Sequence, residues 1–186
     1  MAIKTFTTGE VLTAADTNTY LNNGGLVWIA EQIITTSTAT VEFVNCFTST
    51  YANYRLVISN VLCINQGDIR MYFGTTLGAT GYYGSCFYDR SDGGLTGYVR
   101  SNNIGTVSIG LSDNAAGSIS SYSVDIFEPQ RGTRTMMAGN YQGRVSYTGF
   151  SGGCEASNTQ FTTLRLFNSV GNISQGSFRL YGYRQA

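Results

Sequence analysis

Tyr54-Arg-Leu-Val-Ile-Ser59 is the stretch whose reading decides the fold. Tyr54, Leu56 and Ile58 alternate with Arg55, Val57 and Ser59, a period of two that sends one set to a buried face and the other towards solvent. The same alternation returns in Ile69, Met71 and Phe73 against Asp68, Arg70 and Tyr72, and in Tyr122, Val124 and Ile126 against Ser121, Ser123 and Asp125. Working outward, the spacing predicts further strands over 26–36, 39–47, 84–89, 95–100, 106–111, 133–142, 161–167 and 176–183, separated by Gly, Asn, Ser and Asp clusters. Strands without helical crossovers pair antiparallel, and about eleven of them cannot lie in one flat sheet without leaving a face uncovered. The expected fold class is therefore all-β, an antiparallel β-sandwich.

Composition agrees. The chain of 186 residues carries 23 Gly, 13 Tyr and 10 Phe, which suit tight turns and half-buried pleated surfaces. Eleven Lys plus Arg balance eleven Asp plus Glu, so no basic field exists to hold a nucleic-acid backbone, and no nucleic-acid partner is expected. Lys4 is the only lysine; the other cations are arginines, which favour planar, fixed contacts. So small a charged fraction gives little colloidal repulsion and suits a chain that lives inside an assembly. Cys46, Cys63, Cys86 and Cys154 are widely spaced, with no histidine to complete a zinc site, and read as buried thiols of a cytoplasmically made protein, with disulfides as the alternative. No apolar run is long enough for a signal peptide or a membrane span, so membrane insertion is not expected.

Near the beginning the period differs. Thr13 can cap a short helix over 14–21, with Asp16 three residues on, and Asn22, Asn23, Gly24 and Gly25 end it. So short a helix is marginal alone and must dock, on its own domain or on a partner. Two parts are expected: residues 1–25 as leader and anchor, and 26–186 as the β-sandwich domain.

Without histidine, the common triads and most general-base schemes cannot be built, and no enzymatic activity or cofactor is expected. The pairs Asp89 with Asp92 and Asp125 with Glu128 are weak glycosidase candidates, and Asp89, Asp92 and Asp113 lack the spacing of a calcium loop. Glycines at 81–84 and 149–153 read as hairpin turns, and 65–114 reads as loops and short hairpins at one end of the sandwich, with turns at 78–81, 92–94 and 101–103. Within that region Tyr82, Tyr83, Phe87, Tyr88 and Tyr98, beside Arg90 and Arg100, combine ring faces with guanidinium forks. Such a group can stack on a sugar or a protein partner, or simply fill the edge of the core. Tyr82, Tyr83, Tyr88, Arg90, Tyr98 and Arg100 are the candidate binding residues.

The opening Phe6-Thr-Thr-Gly-Glu-Val-Leu-Thr-Ala-Ala-Asp-Thr-Asn-Thr-Tyr-Leu-Asn-Asn23 resembles the leader of tail-fibre and other virion-appendage proteins of tailed bacteriophages. The body, through Phe43-Val-Asn-Cys-Phe-Thr48, Tyr54–Ser59, Ile69–Gly74 and the closing Arg179-Leu-Tyr-Gly-Tyr183, looks like a fibre-type jelly-roll domain, with Ser151-Gly-Gly-Cys154 as a departure. The resemblance implies a jelly-roll-like virion component, usually a homotrimer, made in the host bacterial cytoplasm. Its N-terminal segment, through Phe6, Val11, Leu12, Thr13, Asp16, Tyr20 and Leu21, would hold other virion proteins of the tail, portal-collar or capsid. The functional expectation is a non-enzymatic, fibre-like appendage of tail or head that can touch a host-surface glycan. The alternatives are a capsid decoration protein and a carbohydrate-binding, lectin-like module.

Overall fold

The structure is a computed structural model that describes residues 7–11, 13, 25–90, 96–114, 118–143 and 147–184. Among these residues there are twelve strands: β1 (Leu26–Ile34), β2 (Val41–Phe43), β3 (Asn53–Cys63), β4 (Asp68–Phe73), β5 (Tyr82–Arg90) and β6 (Gly97–Ile104) in the first half. The second half adds β7 (Val107–Leu111), β8 (Ser120–Phe127), β9 (Thr135–Gly143), β10 (Tyr147–Glu155), β11 (Leu164–Asn168) and β12 (Ile173–Tyr183). They form two antiparallel sheets, one of eight strands in the order β1-β12-β3-β8-β9-β10-β5-β6 and one of four in the order β2-β11-β4-β7. The inward sets are as expected: Tyr54, Leu56 and Ile58, Ile69, Met71 and Phe73, and Tyr122, Val124 and Ile126 are all buried, while in β4 Asp68 and Tyr72 of the other set are buried as well. Phe43, Leu164, Leu166, Phe178 and Leu180 complete that core, each buried side chain contributing about 1.5–3 kcal/mol.

Four expectations change, the first being that Gly84 of the 81–84 stretch lies within β5 rather than in a hairpin turn. The glycines at 149–153 are not a turn but the middle of β10, which pairs with β9 on one side and β5 on the other. The physical reason is close packing: Gly153 sits opposite Gly84, and a β-carbon on Gly153 would lie 2.5 Å from the Tyr83 carbonyl oxygen and 3.1 Å from Val107 Cγ2. The two glycines thus make the seat into which Val107 of the smaller sheet fits. The 101–103 stretch continues β6, its asparagines tolerated because Asn103 takes a left-handed φ of 52° at the register shift opposite Tyr82 and Tyr83. The region 65–114 is therefore largely strand, with β5 and β6 as a paired hairpin; the turn expected at 92–94 lies outside the described residues.

No helix is present among the described residues, and so none that could cross a membrane. The expected helix at 14–21 lies outside them. Residues 7–10 form a turn in which the Thr7 N–H donates to Glu10 Oε2 at 3.1 Å and the Glu10 N–H donates to the Thr7 carbonyl at 3.0 Å. Of the anchor candidates, Val11 and Thr13 are described and exposed; Phe6, Leu12, Asp16, Tyr20 and Leu21 lie outside the described residues.

Candidate functional site

The outer face of the eight-stranded sheet carries the most unusual surface. Register fixes its layout, because residues opposite one another on neighbouring strands lie side by side on one face. Phe150 on β10 faces Phe87 on β5, which faces Tyr98 on β6. Their rings form one continuous row, with centroids 5.4 Å apart for Phe87 and Phe150 and 6.1 Å apart for Phe87 and Tyr98, and all three stand exposed. A second row runs parallel to it through Phe127, Met136, Cys154, Tyr83 and Asn102. Tyr83 and Phe87 are four residues apart on one strand, so the rows stand roughly 13 Å apart.

Between the rows lies a line of small residues: Ala138, Gly152 and Ser85, ending at Arg100 on β6. Two ridges over a low floor make an open groove of about 560 Å³, with Tyr83 on one wall, Phe87 and Phe150 on the other, and Arg100 and Asn102 at the β6 end. Two smaller hollows continue along the same face. One of about 320 Å³ lies on the far side of Phe87 and Phe150 and includes Asp89, Asn140 and Thr148. The other, of about 430 Å³, is floored by Ser59, Ser121, Ser123, Asn140 and Gln142.

The six residues singled out from the sequence divide between the two faces. Tyr83, Tyr98 and Arg100 belong to the groove. Tyr82 does not: it is buried, its ring packs beside Phe73, and its hydroxyl accepts the Phe73 N–H at 2.6 Å. Tyr88 and Arg90 point to the opposite side of β5, where Tyr88 stacks edge-on with Tyr147 at 5.7 Å and the Arg90 guanidinium lies 5.1 Å from the same ring. The reason is the two-residue period of a strand, which sends Tyr82 and Tyr88 inward and Tyr83 and Phe87 outward. Phe150 is absent from the sequence candidates because the glycines around it read as a turn; its register partner Phe87 belongs to the aromatic group but not to the six candidate residues.

Of the two carboxylate pairs, Asp92 lies outside the described residues, and Asp125 and Glu128 are each engaged by other partners. Asp125 accepts Arg55 Nε and Nη2 at 2.8 and 2.7 Å and the Tyr183 hydroxyl at 2.6 Å, and Glu128 pairs with Arg131 at 2.7 Å. The hydrogen bonds from Arg55 hold the Asp125 carboxyl below its usual value. All four cysteines are free; burial pushes the Cys46 thiol up to about 12 and Cys86 up to about 11, so neither supplies a thiolate near neutral pH. Among the described residues no group of three cysteine or carboxylate side chains comes together as a metal site.

No protein-family model and no curated protein matches this chain. Among solved structures it is similar to the Emp47p carbohydrate recognition domain, with a TM-score of 0.22 and 8% identity over 89% of this chain and 99% of that one. It is similar to the carbohydrate binding module CBM66 from Bacillus subtilis, with a TM-score of 0.21 and 11% identity over 88% and 94%. A third likeness is to winged bean acidic lectin complexed with methyl-alpha-D-galactose, with a TM-score of 0.17 and 7% identity over 88% and 95%. Likenesses at this level carry no function, which rests on the residues of the site.

Proposed function

We propose that this chain is a non-enzymatic binding domain of a bacteriophage virion appendage, and that it holds a saccharide surface in the groove between its two apolar rows. One observation carries the reading: Phe150, Phe87 and Tyr98 form an exposed, ordered row of rings beside a floor of small residues and polar groups. A sugar ring has apolar C–H faces and a rim of hydroxyls. Rings of the protein cover the first, while the Ser85 hydroxyl, the Asn102 amide and the strand backbone satisfy the second. Five large apolar side chains, Tyr83, Phe87, Tyr98, Met136 and Phe150, on one half of one face exceed the scattered exposure that needs no explanation. The virion setting rests on the leader-like sequence from Phe6 to Asn23 and makes a host-surface glycan the natural target.

The test is binding of the purified chain to an array of bacterial-type oligosaccharides, repeated with Phe87→Ala and Phe150→Ala. Wild type should bind a subset, and each substitution should lower affinity at least tenfold, since a stacked ring contributes about 1–3 kcal/mol. Binding unchanged in both variants sinks the reading. Gold-labelled antibody on intact particles separates the settings: label on tail or head fibres supports an appendage, and a uniform capsid coat makes the chain a decoration protein.

A further inference from the structure

We infer that the saccharide taken by the groove is acidic, with a carboxylate or phosphate held by Arg100; this rests on the groove being the saccharide site. Five arginines of this fold, Arg55, Arg70, Arg131, Arg165 and Arg179, each reach a carboxylate within 2.7 Å. Arg100 does not. Its guanidinium lies 5.3 Å from the centroid of the Tyr98 ring, and among the described residues it has no carboxylate partner. Stacking on the ring gives the fork a fixed position without neutralising it.

That position is the end of the small-residue floor, since Arg100 sits opposite Ser85 and Ser85 opposite Gly152. None of the residues lining the groove is acidic. Asp89, on the same face of β5, lies beyond the Phe87 ridge in the neighbouring hollow and accepts the Arg90 N–H at 2.9 Å. The chain as a whole is neutral, yet this groove presents one cation and no anion. A planar guanidinium with free donors matches the two oxygens of a carboxylate or phosphate, and charge-assisted pairs of this kind are about twice as strong as neutral hydrogen bonds. A sugar seated between Tyr83 and the Phe87 and Phe150 ridge would bring an acidic substituent at its β6 end onto Arg100.

The experiment compares three oligosaccharide sets of matched length: neutral glucosides and mannosides, galacturonates, and phosphate-bearing mannosides. Wild type, Arg100→Gln, Arg100→Lys and, as a charge-loss control on the other half of the sheet, Arg179→Gln are measured at low and high salt, with circular dichroism confirming the fold. The expected result is binding to one acidic set in preference to the neutral one, weakened by salt. Arg100→Gln should reduce it about tenfold to a hundredfold, Arg100→Lys should lose part, and Arg179→Gln should match wild type. Preference for galacturonates or for phosphomannosides identifies the anion. Binding to neutral sugars that Arg100→Gln leaves unchanged, or acidic binding indifferent to Arg100, overturns the inference and leaves the groove reading standing. No saccharide binding by wild type overturns both, and an oligomer that Phe150→Ala dissolves overturns both and assigns the groove to a second copy of the chain.

Discussion

Two halves of one sheet face differ in how their side chains are satisfied. On β1, β12, β3 and β8 the charges are closed into pairs: Arg179 meets Glu31 at 2.7 Å, Ser177 donates to the same carboxylate at 3.1 Å, and Arg55 and Tyr183 converge on Asp125. The exposed apolar side chains there are Leu26, Trp28 and Ile33 on the edge strand and Phe127 at the end of β8, with no row of stacked rings across neighbouring strands. On β9, β10, β5 and β6 the rings stand in a row and Arg100 is stacked but not paired. Both halves share strand geometry and both cover the same core. The first half pairs its charges within the chain, and the second leaves a row of ring faces and the Arg100 guanidinium exposed.

The comparison breaks most sharply if ridge and core residues on the same strand respond alike. Tyr82→Ala removes a buried ring and strands the Phe73 N–H, and should cost about 3–5 kcal/mol in denaturant unfolding. Tyr83→Ala, one residue on and exposed, should stay within about 0.5–1 kcal/mol. Comparable losses for the two would mean that the outer rings are structural.

The closed half should show itself in acid. Because Arg55 lowers the Asp125 pKa in the folded chain from 3.8, the ion pair contributes fully above the unfolded carboxylate's pKa. That contribution fades as pH falls below 3.8 towards the lowered value. Asp125→Asn should lose about 1 kcal/mol at neutral pH, a modest figure because the Arg55 side chain is 37% exposed and screened. The variant should also show a flatter stability profile between pH 5 and 2, roughly the carboxylate titration range. An acid limb identical to that of wild type would take Asp125 out of the account.

The sandwich was legible because Tyr54–Ser59 and its two counterparts alternate without interruption, and burial of one face leaves no freedom of register. Half of the candidate site was legible too, since Tyr83, Tyr98 and Arg100 could be named from aromatic and cationic density alone. What hid the rest was glycine. In Tyr147–Glu155 three glycines replace the side chains that would have displayed a strand period, because Gly149 and Gly153 must let neighbouring backbone, the Tyr141 ring and Val107 approach. Phe150 then looked like an isolated ring in a turn, although cross-strand pairing sets it beside Phe87. Such pairing is a long-range fact that local spacing does not contain.

Those same glycines supply the finest test, and one of them, Gly152, has the smallest expected effect on stability. Gly152 and Gly153 are neighbours that face opposite ways. A β-carbon on Gly152 would meet only the Met137 carbonyl oxygen at 3.6 Å, an ordinary contact, whereas one on Gly153 would press to 2.5 Å from the Tyr83 carbonyl and 3.1 Å from Val107. Gly153→Ala should therefore cost about 1–3 kcal/mol through overpacking. Gly152→Ala should be neutral or gain about 0.5 kcal/mol, since a strand glycine carries an entropic penalty that alanine relieves. Lengthening the same side chain to Gly152→Leu adds volume to the groove floor between Tyr83 and the Phe87 and Phe150 ridge without touching the core. If the groove holds a ligand, Gly152→Leu keeps its melting temperature within a few degrees of wild type and loses saccharide binding. If the rings act only as separate contacts on a flat surface, filling the floor between them leaves binding intact, and the second half of the face is decorated rather than shaped.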